Sequence, residues 1–420
     1  MSGPLTGVRG IVLTQAWAGT YCTELLAMAG ADIIQLEVRK RPDSWRGTYT
    51  TPMADAVSKV PTAEHAWNVN ALFNSVNLGK RSFTVDLSTP EGLELYRALV
   101  PFADIVAENF SPRVMGNLGL SYEELKAIKP DVILASLSAY GHEGPWANVP
   151  GIGGTIEPTS GMSALLGYPD GPPMNSGQMY PDAVAGLYGF ASLVTALHHR
   201  DRTGEGQYVD LSMQEANLAN IGDSALQEEL LGEQRPRLGN RNLTFAPHGI
   251  YEVQPTSEGA RQWIALAAED EVQWSALCAV AGLGWDADAR FAGNASRKQH
   301  EDDLDRAIAA WAGAEERDAL ADRVLAAGGL AAPVLDAIEV AEDPVLRARG
   351  VMVELDHPEA GRWPQVGAPF HFSRTPVQVE RPAPTQGQHS REVFREFLDM
   401  SDERYDELVA KNITGEGPPD

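Results

Sequence analysis

Residues 8–13, 21–29 and 32–37 read in turn as a buried strand, a helix and a second strand, with a turn over 14–20 joining the first two. That is a βαβ opening. Residues 82–87, a helix opened by Thr89-Pro90-Glu91-Gly92 and running to Leu99, and residues 105–108 make a second such unit. Asn109-Phe110-Ser111-Pro112-Arg113 leaves it as a loop, and a helix over 122–128 and a strand over 132–136 follow. The first 140 residues therefore predict an α/β, doubly wound sheet.

A dinucleotide is the obvious ligand for such an opening, and Glu37 stands at the second strand's end, where a ribose-binding carboxylate belongs. The turn argues otherwise. Thr14-Gln15-Ala16-Trp17-Ala18-Gly19 carries one glycine, not the G-x-G-x-x-G spacing that lets a pyrophosphate approach the backbone, so NAD is disfavoured. A helix N-terminus near Gly19 and Thr20 can still hold a phosphate or polar group. Arg39, Lys40, Arg41 and Arg46, with Lys80 and Arg81, lie on loops after strand ends, either as ligand contacts or as a solvated face.

Charge narrows the ligands further. The formal net charge of −25 argues against nucleic acid and anionic membrane surfaces, both of which need a concentrated basic face. Within residues 1–130 basic and acidic side chains nearly balance, so an anionic ligand is expected in that third. No apolar run approaches the ~18 residues of a membrane span, and the start lacks the basic and apolar regions of a secretory signal, which predicts a cytoplasmic protein. Cys22 and Cys278 are too few for a disulfide framework or a thiolate metal site and read as core fillers. No histidine pair has helical metal spacing with a partner acid: His142 is isolated, and His198 and His199 close a helix, so no metal is expected.

Residues 140–177 are rich in Gly and Pro and read as irregular, site-forming chain. Pro181-Asp182 then stands directly before a helix-period segment over 183–199. Asp182 at that helix mouth is either an N-cap or a carboxylate held ionised for nucleophilic attack. Residues 214–231 read as helical, 235–242 as a basic polar turn, 263–267 as a strand, and 271–281 and 303–311 as helices, a separate α+β domain from about 240 to 340. The chain then returns through a helix begun by Asp343-Pro344-Val345, a strand at 351–355, a Pro-rich connector at 381–388 and two helices at 391–398 and 402–411.

Taken together and in order, AGTYCTELLAMAGADIIQLE, KRSFTVDLSTPEG, ADIVAENFSPRVMGNLGLSYEEL, DVILASLSAYG, RTGEGQYVDLSMQEA, APHGIY, VGAPFHFS and GQHSREV resemble the class III CoA-transferases, a group that includes formyl-CoA transferase, carnitine CoA-transferase and the α-methylacyl-CoA racemases. The resemblance implies a Rossmann-like large domain formed by both chain ends, 1–225 with a return at 341–420, a smaller α+β domain at 226–340, and an interlocked homodimer, with a hetero-oligomer also open. It makes Asp182 the catalytic carboxylate, forming aspartyl anhydride and aspartyl-CoA thioester intermediates as CoA passes from an acyl-CoA donor to a free carboxylic acid. Coenzyme A would be a substrate, with no tightly bound cofactor, among Ala16, Trp17, Ala18, Val85, Asn109 and Phe110. The family's basic residue after the strand-end Glu is Val38 here, so that role passes to Arg39, and a family arginine near Asn117 is replaced by Arg113.

Glu157 and Tyr140 are the substrate-side candidates, and Trp17, Trp146, Met162, Met174, Met179 and Tyr180 suggest a bulky acyl group. The racemase His-Asp pair is absent from Gly151-Ile152-Gly153, and the glycine-rich lid of formyl-CoA transferase has no counterpart. The other readings are a CoA-thioester isomerase, racemase or lyase, or a non-catalytic CoA-binding subunit of a hetero-oligomer.

Overall fold

Six parallel strands run side by side in a computed structural model that describes residues 3–49 and 63–419. They are β1 (Arg9–Val12), β2 (Asp32–Glu37), β3 (Arg81–Thr84), β4 (Ile105–Glu108), β5 (Ile133–Ser138) and β6 (Tyr208–Ser212), and their spatial order is β3-β2-β1-β4-β5-β6. Strand order reverses between β1 and β4, and ligands of open α/β sheets bind at such a switch point, beyond the carboxyl ends of the strands. β5 is buried along its whole length, as a parallel strand covered on both faces must be.

Each face has its own core. On one, Val12, Ile33, Ala107 and Leu137 pack with Cys22 and Leu26 of the helix Ala18–Met28 and Leu193 and Ala196 of the long helix Tyr180–Thr203. On the other, Ile11, Ile34, Phe83 and Val106 pack with Tyr96 and Leu99 of the helix Pro90–Leu99 and with Val393 and Phe394 of the C-terminal helix Ser390–Leu398. A side chain at Gly186 would put its Cβ 2.8 Å from Tyr21 Cδ1 and 3.1 Å from Ala18 O, so glycine lets the long helix lie against the start of the first one.

The chain divides into two compact units. One comprises Met1–Ser163, Asn175–Gly232 and Asp343–Asp420; the other comprises Ala164–Met174 and Glu233–Glu342. The second is built on an antiparallel sheet of β7 (His248–Glu252), β8 (Trp263–Ala267) and β9 (Leu330–Pro333), backed by helices that include Glu271–Ala281, Glu301–Ala312 and Arg317–Ala326. Its core gathers Trp274, Trp285, Phe291 and Trp311.

Several local expectations change. The first helix starts at Ala18, shortening the preceding turn, because Thr20 Oγ1 donates to Trp17 O at 2.9 Å and Tyr21 N to Trp17 O at 2.7 Å. The span 214–231 is two helices, Met213–Asn220 and Gly222–Leu231, parted at Ile221 (φ −121°, ψ 19°). The strand expected at 351–355 is one arm of a hairpin, Met352–His357 paired with Gly361–Val366. Residues 140–177 contain the short helices Gly153–Thr159 and Met162–Leu165. Both cysteines are buried and free. Among the described residues no helix is long and apolar enough to cross a membrane.

Candidate active site

At the switch point the ends of β1 and β4 are clasped by one side chain. Asn109 Oδ1 accepts from Gln15 N at 2.7 Å and Asn109 Nδ2 donates to Gln15 O at 2.8 Å, satisfying both backbone groups of a residue that has left the ladder. Ala16 follows at φ 55°, a left-handed conformation rare for a residue with a Cβ, and its N–H is taken by both oxygens of buried Asp43 at 3.1 and 3.0 Å. Burial pushes the Asp43 pKa up to about 6. The turn opens a cleft of about 410 Å3, walled by Ala16, Trp45, Asn109, Phe110 and the segment 147–153 and ending at Met179, Asp182 and Met213.

Asp182 is not the N-cap. The helix begins at Tyr180 with Pro181 in its first turn, and Met179 precedes it at φ 47°, ψ 45°, left-handed and without a side-chain cap. Asp182 is therefore a first-turn residue whose carboxyl is free to face the cleft, at the positive end of a 24-residue helix. Burial raises its pKa from 3.8 to about 6, against the opposing pull of the backbone N–H groups of Ala18, Asp182 and Gly153. Those amides favour the anion, yet Oδ2 is buried and makes no hydrogen bond of ordinary length and angle. The result is a half-desolvated, weakly tied carboxyl group whose raised pKa still leaves it ionised at neutral pH.

The other expected site residues divide. Ala16, Asn109 and Phe110 line the cleft, and Ala18 sends its amide toward Asp182. The Trp17 ring packs on Trp45 with centroids 5.5 Å apart. Arg113 is exposed, next in sequence to cleft residue Pro112. Val85 does not line the cleft; it is buried in the core of the opposite sheet face. Arg39 does not line it either. Its guanidinium donates to the carbonyls of Thr414 (2.7 Å), Gly417 (2.9 Å) and Pro418 (2.7 Å) and so holds down the C-terminal segment.

The rest of the basic cluster is likewise paired internally, with Arg41 left exposed. Lys40 meets Asp86 at 2.6 Å, Arg46 makes a buried two-pronged pair with Glu37, Lys80 Nζ donates to Thr20 O and Asn77 Oδ1, and Arg81 bridges Asp32, Glu392 and Glu396. Glu37 is thereby engaged by Arg46 and Ser82, buried, and outside the cleft lining, not placed to meet a ribose there.

Tyr140 packs edge-on against Trp146 at 5.3 Å, outside the cleft lining. Glu157 is also outside it, fully buried and bonded to Ser176. Of the aromatic and Met candidates for an acyl pocket, Met179 lines the cleft, whereas Met174 belongs to the second unit. Trp45 and Met213, and Asp43 behind the cleft wall, had no signal in the sequence: Asp43 and Trp45 sit in the loop after β2 and Met213 at the start of a helix, and only folding brings these segments together.

A family model described as CoA-transferase family III matches residues 5–390. The chain belongs to CoA-transferase family III. Among relatives in the family, the succinyl-CoA–D-citramalate CoA-transferase of Chloroflexus aurantiacus is 33% identical over 98% of each chain. The succinate–glutarate CoA-transferase of Agrobacterium fabrum is 32% identical over 94% of this chain and 96% of its own. A formyl-CoA:oxalate CoA-transferase of Rhodopseudomonas palustris is 31% identical over 97% and 96%. Among solved structures, a CAIB/BAIF family protein from Brucella suis superposes with a TM-score of 0.84 at 29% identity, covering 94% of this chain and 100% of that one. Rv3272 of Mycobacterium tuberculosis, at TM-score 0.75 and 24% identity, shares the fold.

Proposed function

We propose that this CoA-transferase moves CoA from an acyl-CoA donor to a free carboxylic acid, with Asp182 as the nucleophile. The observation that carries the reading is the Asp182 carboxyl itself: weakly bonded, raised to about 6, and set at the end of the switch-point cleft. The relatives named above, whose names pair succinyl-CoA with D-citramalate, succinate with glutarate and formyl-CoA with oxalate, support the same chemistry.

The steps balance without a net proton. Asp182 attacks the donor's thioester carbonyl and expels CoA thiolate, leaving a mixed acyl–aspartyl anhydride. The thiolate then attacks the aspartyl carbonyl, forming an aspartyl-CoA thioester and releasing the donor's acid as carboxylate. An acceptor carboxylate attacks that thioester, regenerating an anhydride and a thiolate, and thiolate attack on the acceptor's acyl carbon yields the new acyl-CoA and free Asp182. Both activated intermediates are open to hydrolysis, so water exclusion matters. The apolar lining by Leu137, Ala147, Val149, Ile152 and Met213 serves that need and gives the acyl group its surface. The phosphates of CoA would meet exposed Arg113 beyond Phe110. Ile152 cannot relay a proton, which speaks against racemisation. Exposed Leu187, Tyr188 and Val194 on the long helix favour a homodimer that covers them.

Peptide mass spectrometry after incubation with a panel of acyl-CoAs, from succinyl to aromatic thioesters, followed by hydroxylamine, tests the reading. A hydroxamate on Asp182 is expected. Its absence across the panel, with CoA still bound, would overturn it.

A further inference from the structure

The left-handed turn at Met179 aims Asp182, and it needs a reason to persist. Gly177 (φ 77°) and Met179 (φ 47°) are both left-handed within three residues, and a non-glycine residue keeps such a conformation only where its surroundings over-determine it. Those surroundings are two short helices, Gly153–Thr159 and Met162–Leu165. Ser163 Oγ donates to Asn175 Oδ1 at 2.6 Å and Asn175 Nδ2 to Gly154 O at 2.9 Å. Ser176 then gives both its donors to one side chain: its N–H to Glu157 Oε1 at 2.5 Å and its Oγ–H to Glu157 Oε2 at 2.9 Å. Ser176 Oγ in turn accepts from Gln178 N at 3.2 Å, one residue before Met179. Glu157 is 0% exposed, and among the described residues Ser176 supplies both of its side-chain hydrogen bonds. The same helix, Gly153–Thr159, opens with the glycine whose missing Cβ admits the Asp182 carboxylate.

We propose that Glu157 is a positioning residue for the transfer reaction: through its two-pronged grip on Ser176 it holds the turn over 176–179 and so fixes Asp182 against Gly153. The inference rests on Asp182 being the nucleophile. A buried carboxylate suits the task because both contacts are donors and both oxygens accept. Glutamine satisfies the same pair, its carbonyl taking the Ser176 N–H and its NH2 donating to Ser176 Oγ, so the grip does not depend on charge. A carboxylate acting directly on substrate would depend on it.

The test compares Glu157→Gln, Glu157→Ala, Ser176→Ala and the Glu157→Ala/Ser176→Ala double variant in the full-length protein, with succinyl-CoA and the other donors of the panel. Ser176 is exposed, so its variant does not threaten the core. Glu157→Ala should lower kcat by roughly 30- to 100-fold at nearly unchanged KM for the acyl-CoA, the penalty expected for a nucleophile displaced by about 1 Å. Glu157→Gln should restore most of it, Ser176→Ala should lose less than Glu157→Ala, and the double variant should match Glu157→Ala alone. Hydrogen exchange over 175–182, which needs no turnover, should quicken in Glu157→Ala and stay at wild-type rates in Glu157→Gln. Unchanged exchange in Glu157→Ala, or a glutamine variant as impaired as the alanine one, would overturn the proposal. Failure of the Asp182 reading shows separately, as wild-type protein that never carries the hydroxamate.

Discussion

Gly153 and Asp182 approach so closely that a Cβ on the glycine would lie 2.0 Å from the carboxylate Oδ2 and 2.6 Å from Met179 Cβ. No side chain fits there without moving the Met179 turn. Gly153→Ala should therefore leave the folded sheet intact yet reduce kcat/KM by about 100-fold, the scale of a roughly 1 Å misplacement of a reacting group. Paired measurements of thermal midpoint and steady-state rate check it; a variant with wild-type rate would mean the carboxylate works from another position.

As the proposed nucleophile, Asp182 must be ionised to attack. With its pKa raised to about 6, log kcat/KM should climb with pH through that value and level off by about pH 7. A pH–rate profile of the wild-type protein reads the limb directly, and a limb near 4 would contradict the burial described above.

The same shift makes Asp182 a cost to folding. Its folded pKa lies above the ordinary carboxylate value, so the native state binds the proton better, and stability is lost as pH rises from about 4 to about 6. Asp182→Asn removes the charge and should gain at most about 2–3 kcal/mol at pH 7 and nothing near pH 4, from 1.36 kcal/mol per pKa unit. Denaturant titrations at the two pH values decide this.

Arg46 and Glu37 form a bidentate pair at 2.5 and 2.9 Å with both side chains buried, and Arg46 also stacks 3.6 Å above Phe73 and reaches Pro384 O. Removing the cation strands a buried carboxylate. Arg46→Met should cost about 3–5 kcal/mol, and adding Glu37→Gln should recover a substantial part of it. Additive losses in a double-mutant cycle would show that the two act independently.

Asp43 gives one carboxylate to three N–H contacts on the cleft's rim, two on Ala16 and one on Trp45 at 2.8 Å. Asp43→Ala should destabilise by about 1–3 kcal/mol, the cost of leaving a buried amide unsatisfied. With the left-handed Ala16 turn released, it should also raise KM for acyl-CoA more than it lowers kcat. The kinetic split is the measurement that checks the second half.

The alternation of short apolar runs with helix-period segments was enough to place five of the six parallel strands and the helices Ala18–Met28, Pro90–Leu99 and Tyr122–Ile128 between them, because period and length are local properties of the chain. β6 escaped notice: Tyr208–Ser212 is exposed at its start and alternates poorly, and its strand character comes from pairing with β5. The motif order pointed to the family and to Asp182 as the proposed nucleophile, but the partners of single side chains were not legible in it. Arg39 and Glu157 carry charge in suggestive places, yet one grips the C-terminal segment and the other Ser176, across 373 or more and 19 residues respectively.

Local sequence, then, determined the elements and the helix that carries Asp182, since each rests on residues near one another along the chain, whereas the switch point comes from pairing β1 with β4. Which charges face the cleft, what raises Asp182 to about 6, and why Gly153 must be glycine were decided only in three dimensions. Desolvation and steric exclusion depend on atoms brought together from distant segments, and no pattern within one segment encodes those neighbours.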